Sequence, residues 1–137
     1  MLITTIHFPG NCDEAIAYYK EAVGAEVKRI DYFRDAPPDV VIDGFSLPNH
    51  VMNSEVVMFG TSISMTDGVK TPMTSENVTF TVFIDSPEEA TAVFNKLADG
   101  GQVIEALEPQ FWVALTGFVK DRYGLNWNIC TSDALNG

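Results

Sequence analysis

Reactive and cationic side chains are scarce in this chain of 137 residues: 2 cysteines, 2 histidines, and 8 lysines and arginines against 19 acidic residues. Cys12 and Cys130 are too few for a disulfide framework or a zinc cluster, and a Cys12–Cys130 bond is disfavoured in the reducing compartment expected for the chain. The net charge of −11 repels a phosphate backbone and no basic stripe offsets it, so nucleic acid is excluded as a partner. No apolar run approaches the ~20 residues of a membrane span, and no membrane partner is expected. The first residues carry no basic stretch ahead of an apolar one, so no signal peptide is expected and the cytoplasm is the default location. Nor is there a Ser/His/Asp or Cys/His arrangement at a spacing that would mark nucleophilic catalysis. The acidity reads as solvated surface, with Glu88, Glu89, Asp99, Glu105 and Glu108 near predicted element ends.

With 46% hydrophobic and 20% charged residues, the sequence has the composition of a globular domain with a real core, and it repeats one pattern twice. Ile3–Phe8 alternates like a strand and Asn11-Cys12-Asp13-Glu14-Ala15 opens a helix; Val78–Ile84 alternates the same way and Ser86-Pro87-Glu88-Glu89-Ala90 opens another. Asn11 with Glu14 and Ser86 with Glu89 have the capping-box spacing, and Pro87 suits the first helical position. Ala15, Ile16, Tyr19, Ala22 and Val23 form the apolar face of the first helix, which Gly24 ends. Ala90, Val93, Phe94 and Leu97 form that of the second, before Gly100-Gly101. Three strand-like stretches follow each helix: Ala25–Phe33, Ser54–Phe59 and Ser62–Thr66, then Gln102–Leu107, Trp112–Lys120 and Leu125–Cys130. Arg34 to Asn53, with Pro37, Pro38 and Pro48, reads as a long excursion, and Asp67–Asn77 as the link between halves.

The order βαβββ twice, with Gly10-Asn11-Cys12-Asp13-Glu14-Ala15, Phe111-Trp112 and Asp121-Arg122-Tyr123-Gly124-Leu125-Asn126-Trp127, resembles the vicinal oxygen chelate superfamily, the glyoxalase/bleomycin-resistance/dioxygenase fold, and within it the PhnB-like branch. The resemblance covers essentially the whole chain. It implies an α+β fold: a single domain, residues 1–137, of two βαβββ modules (about 1–67 and 77–133) forming a U-shaped mixed sheet with a small-molecule cavity, commonly as a homodimer. Where relatives carry Gly and Arg after Phe-Trp, this chain has Val113 and Leu115, and Asn53 replaces a His common in the third strand. Some relatives bear a demethylubiquinone methyltransferase label, but no glycine-rich nucleotide-binding loop follows a strand here, so that activity is not carried over.

Metal-dependent members of the superfamily take one ligand from the first and one from the last strand of each half. The repeat serves as a ruler for those positions. Phe80, Val82 and Ile84 suit the helix side of their strand, which leaves Thr79, Thr81 and Phe83 on the cavity side; Ile6 and Phe8 correspondingly leave Ile3, Thr5 and His7. On the closing strands Leu125, Trp127 and Ile129 face the helix and Asn126, Asn128 and Cys130 face inward, as do Ser62, Ser64 and Thr66 opposite Ile63 and Met65. The four ligand slots are then Ile3 (or Thr4, if the turn before the first helix holds no extra residue), Ser64, Thr79 and Asn128. Neutral hydroxyls and an amide do not replace the imidazole, carboxylate and thiolate of zinc, iron or nickel sites, so no metal or other cofactor is expected.

His7 is the candidate acid–base residue, because imidazole titrates near neutrality; a structural histidine at a strand end is the favoured alternative. Thr5, Ser64, Thr79, Thr81, Phe83, Trp112, Asn126 and Asn128 are the candidate cavity lining. His50 reads as an exposed loop residue, Arg122 as support for its turn, and Arg34 as a weak candidate for an anionic ligand. Cys12 falls in the first turn of a helix, where the dipole lowers a thiol's pKa, though a small residue filling a helix–sheet junction is the favoured reading. The expected function is the binding of a small organic molecule in a metal-free cavity. The alternative is a metal-independent enzyme using His7; a one-residue register shift would exchange the faces and reopen metal-dependent lyase or dioxygenase chemistry.

Overall fold

A computed structural model of the chain describes residues 1–39, 44–45, 47–68 and 76–136. The chain divides into two compact units, Met1–Pro72 and Met73–Gly137. The first runs β1 (Thr5–Phe8), α1 (Cys12–Val23), β2 (Glu26–Tyr32), a 3-10 turn at Phe33–Asp35, β3 (Val51–Met58) and β4 (Thr61–Asp67). Its sheet has the order β1-β4-β3-β2, with β1 parallel to β4 and the other pairs antiparallel. The second unit repeats this with β5 (Phe80–Ile84), α2 (Pro87–Ala98), β6 (Gln102–Gln110), β7 (Val113–Lys120) and β8 (Asn126–Thr131), in the order β5-β8-β7-β6, and ends in a 3-10 turn at Ser132–Asn136. The α+β fold with two βαβββ repeats is thus the one expected. Parts of the Arg34–Asn53 excursion and of the Asp67–Asn77 link, including Pro72, lie outside the described residues.

In each unit one face of the sheet is covered by its own helix. In the first, Ile6, Phe8, Val56, Ile63 and Met65 are buried with Ala15, Ile16 and Tyr19 of α1; in the second, Val82, Ile84, Val119, Trp127 and Ile129 are buried with Ala90, Phe94 and Leu97 of α2. Each large apolar side chain so buried stabilises by about 1.5–3 kcal/mol. The period-2 alternation that hides Ile6 and Phe8 leaves Thr5 and His7 exposed, and hiding Val82 and Ile84 leaves Thr81 and Phe83 exposed. The repeat therefore set the faces correctly on both opening strands.

The helices start differently from each other. Ser86 caps α2 as expected, its hydroxyl accepting from the Glu89 N–H at 3.2 Å. Asn11 does not cap α1: its side chain makes no capping bond and its Oδ1 is buried without a partner. The cap comes from the far end of the unit, where buried Asp67 closes β4. One carboxylate oxygen accepts from Gly10 N (2.9 Å) and Cys12 N (3.0 Å), the other from Val51 N (2.8 Å). An anionic acceptor at a helix N-terminus outcompetes a local amide, because both its charge and its two oxygens answer the orphan N–H groups.

Strand ends shift from the expected ones for identifiable reasons. The opening strands begin at Thr5 and Phe80, so Ile3 and Thr79 stand just outside them. In the second unit the Asn126 amide donates to the Val78 carbonyl at 3.2 Å, putting a side chain where a ladder bond would continue. β3 starts at Val51 rather than Ser54, held by Asp67 and by a bulge opposite Asp31 and Tyr32. β6 continues through Pro109 to Gln110, as an edge strand can, since one side of its backbone takes no part in the ladder of its sheet. Gly101 is required between α2 and β6, since a Cβ there would come within 2.2 Å of the Lys120 carbonyl oxygen.

Candidate ligand site

The face of each sheet away from its helix carries the candidate residues. In the first unit Thr5 lies beside Ser64 and His7 beside Thr66 in the parallel ladder. The Ser64 hydroxyl is 3.4 Å from Asn53 Oδ1, and Thr66 Oγ1 donates to the Met52 carbonyl at 2.8 Å. Arg34 lies 4.1 Å over the Tyr32 ring and donates to the Pro48 carbonyl at 2.9 Å, while the Tyr32 hydroxyl donates to Asp13 Oδ1 at 2.7 Å. That hydrogen bond, with burial adding to it, raises the Tyr32 pKa. These groups tie the 3-10 turn to its surroundings.

One expectation in this unit is corrected. His50 is buried, not an exposed loop residue, with a relative exposure of 6%. Its Nδ1 accepts from Leu47 N at 3.2 Å, its main chain bonds both Leu47 and Phe33, and its ring meets Phe45 edge-on at 5.4 Å. The pattern is that of a structural hub in a turn. Cys12 is fully buried, in keeping with the packing role favoured for it: burial above all, and then the charges of Asp67 and Asp13, push the thiol well up, against the lowering that a helix N-terminus alone would give. Both cysteines are free.

In the second unit Thr81 pairs with Asn128 and Phe83 with Cys130 across β5 and β8, while Thr116, Phe118 and Lys120 of β7 stand opposite Cys130, Asn128 and Asn126. Thr116 Oγ1 donates to Asn128 Oδ1 at 3.1 Å, and the Cys130 thiol is 3.4 Å from the same oxygen. A pocket of about 290 Å³ opens at one end of this face, lined by Glu76, Thr79, Ile104, Phe118, Val119, Lys120, Asn126 and Trp127. Of the sequence-predicted lining, Thr79 and Asn126 are brought together here. Thr81, Phe83 and Asn128 share the sheet face without lining the pocket, and Trp112, 48% exposed, stands at the β6–β7 turn beside fully exposed Phe111. Lys120 and Phe118 were not singled out from the sequence, although the β7 alternation that buries Val113, Gly117 and Val119 carries the signal for them.

Asp121 holds the rim of this region. Its Oδ1 accepts from Tyr123 N (2.8 Å) and Leu125 N (3.1 Å), and its Oδ2 from the Trp127 indole N–H (2.9 Å). Arg122 supports the same turn by donating to the Asp99 carbonyl at 3.0 Å, the structural role expected of it. Asp121-Arg122-Tyr123-Gly124 is thus a turn built around one buried carboxylate.

The metal that the superfamily's fold implies does not fit these residues. The strand neighbours are Thr5 with Ser64 and Thr81 with Asn128, all neutral, and Ile3 and Thr79 supply no better donor. Among the described residues no three His, Cys, Asp or Glu side chains are grouped to hold an ion.

Residues 1–130 match the family model described as 3-demethylubiquinone-9 3-methyltransferase. The chain belongs to that family. Protein YjdN of Escherichia coli K12 is 30% identical, covering 90% of each chain. Among solved structures, PA1353 from Pseudomonas aeruginosa superimposes with a TM-score of 0.81 at 27% identity over 96% of both chains. A Bacillus cereus protein described as a putative 3-demethylubiquinone-9 3-methyltransferase, PhnB protein, has a TM-score of 0.78 at 21% identity, covering 95% of this chain and 98% of that one. The PhnB-like branch and the vicinal oxygen chelate fold expected from the sequence are the ones found. Among the described residues no helix of this PhnB-like protein is long and apolar enough to cross a membrane.

Proposed function

We propose that this PhnB-like chain binds a small organic molecule on the open face of its second sheet, without a divalent metal. The observation that carries the reading is the pocket of about 290 Å³, which joins apolar Phe118 and Ile104 to polar Thr79, Asn126 and Lys120. Concave sites with an apolar body and a few convergent polar groups are the usual form of small-molecule sites. Thr81 with Asn128 and, further along the same face, Phe83 extend the surface on which such a ligand lies, whereas Trp112 stands at the opposite end of β7 from the pocket. The neutral donors at the metal slots support binding or metal-independent chemistry over metal-assisted chemistry.

An enzyme using His7 is the second reading. A general base is normally oriented by a further group. His7 is exposed, and among the described residues it makes no hydrogen bond, which favours the binding reading. Methyl transfer is not proposed, because the sequence lacks a glycine-rich nucleotide-binding loop after a strand. The chain acts as one domain of two modules, about residues 1–67 and 77–133, in the cytoplasm. Homodimer formation, which the resemblance to the superfamily implies, is part of the same reading.

A thermal-shift screen of small organic molecules followed by product analysis tests the proposal. The expected result is hits that stabilise the protein, are recovered unchanged and bind the His7→Ala variant equally well. Hits consumed in a His7-dependent way would replace it with the enzyme reading.

A further inference from the structure

Lys120 ends β7, opposite Asn126 on β8 and Gln102 on β6. Its side chain is 22% exposed, an unusual setting for a lysine, and its partner is Glu76 at 4.0 Å, a carboxylate that is itself 88% exposed. An ion pair at that distance on a solvated carboxylate contributes little. The ammonium, with three donors, therefore keeps capacity for a second acceptor in the pocket it lines. Beside it stand the Thr79 hydroxyl and the Asn126 amide, and next to these the ring of Phe118 and the side chain of Ile104. The lining thus combines a charge and hydrogen-bonding groups with an apolar wall.

We infer that the pocket takes a small organic anion, its charged group on Lys120 and its apolar body against Phe118 and Ile104. This rests on the reading of the pocket as the ligand site. Its volume of about 290 Å³ is at the lower end of ligand pockets (about 300–1,000 Å³), which fits an aryl or alkyl carboxylate and is small for a nucleotide or a peptide. A net charge of −11 repels anions at long range, so selectivity for one has to come from a cation in contact with it. Lys120 is that cation, and a charge-assisted hydrogen bond in a partly desolvated site is stronger than one in open solvent. Glu76, at the mouth, competes with the ligand for the ammonium and repels its charge.

The test uses the isotope-labelled full chain and two matched pairs, benzoate with benzamide and phenylacetate with phenylacetamide. The resonances of the Lys120 amide, the Asn126 side chain and the Trp127 indole are followed by NMR. Each carboxylate is expected to bind roughly tenfold tighter than its amide. Lys120→Met brings each pair to within about twofold, Lys120→Arg keeps the preference, and Glu76→Gln strengthens the carboxylates about two- to threefold without affecting the amides. Equal affinity within the pairs, or a preference that survives Lys120→Met, overturns the anion assignment and leaves the pocket as a ligand site. If none of the four probes moves these resonances at about 10 mM, the pocket reading falls with it.

Discussion

Thr81 lies directly beside Asn128 in the parallel β5–β8 ladder, and Thr5 holds the same relationship to Ser64 in β1–β4. In each unit the two strands that would meet at a metal thus meet as hydroxyl and amide, or as two hydroxyls. The side-chain chemistry, not the backbone, is what disfavours an ion. Replacing Thr81 and Asn128 with histidine on this backbone is expected to create a site for Ni²⁺ or Zn²⁺ that the wild-type chain lacks. A ligand present at about 100 times its Kd stabilises by about 2.7 kcal/mol, so the double variant's melting temperature rises with the metal and the wild type's does not. Wild-type stabilisation of that size, or near-stoichiometric metal in the purified protein, would show that other residues supply the ligands.

Asp67 serves three backbone N–H groups from two parts of the first unit. Asp67→Asn replaces one oxygen with an amide that donates instead of accepting, leaving at least one buried N–H without a partner. Hydrogen bonds to a charged acceptor are worth about 1.5–3 kcal/mol each, so a loss of about 3 kcal/mol in chemical denaturation is expected. Asn11→Ala should cost less than about 0.5 kcal/mol, because its side chain makes no capping bond. The reverse ranking would restore the local capping box read from Asn11 and Glu14.

That contrast marks how far the sequence was legible. Element order, helix faces and the inward set of both opening strands follow from period-3.6 and period-2 patterns, which depend only on neighbours along the chain. The Asp67 cap was hidden because it spans 55 residues from acceptor to Cys12 N–H, and no local motif announces such a bond. His50 looked like a loop residue because burial there comes from Phe45 and the Leu47 turn, in a stretch without periodicity. The β7 alternation puts Lys120 on one face with Phe118, but charged side chains at strand ends are usually solvated, and only the folded register places this one beside Asn126.

The Cys12 thiol supplies a pH signature. Its folded pKa is raised above the ordinary 9.0 by burial and by the Asp67 and Asp13 charges. Both folded and unfolded chains hold the proton well below pH 9, so the stabilisation is fully present there. Above it the unfolded chain releases the proton while the folded chain retains it, and stability falls by about 1.4 kcal/mol per pH unit. Cys12→Ala should remove that share of the alkaline slope between roughly pH 9 and 11 in urea titrations. Tyr32, raised by its bond to Asp13, acts in the same direction, so Tyr32→Phe serves as the second arm. An alkaline slope unchanged in Cys12→Ala would mean that the thiol ionises as readily in the folded chain as in the unfolded one.

Asp121 and Trp127 form a buried polar contact beside the proposed ligand site. The indole N–H donates to Asp121 Oδ2 at 2.9 Å, while Oδ1 closes the turn onto Tyr123 and Leu125. Asp121→Ala removes all three acceptor contacts and is expected to cost about 3 kcal/mol. Trp127→Phe keeps a ring beside Phe80, 5.2 Å away between centroids, but leaves Oδ2 without the indole. Because the two residues share one hydrogen bond, the double variant should fall short of the summed single effects by about 1 kcal/mol. The same cycle reports on the pocket, since Trp127 lines it and Asp121 follows Lys120 in the chain. A loosened Asp121 turn should weaken benzoate and benzamide alike, whereas Lys120→Met acts on the carboxylate alone. Additive stability losses would show that the turn and the indole are energetically separate, and a selective loss of benzoate in Asp121→Ala would place the turn in charge recognition and not in support.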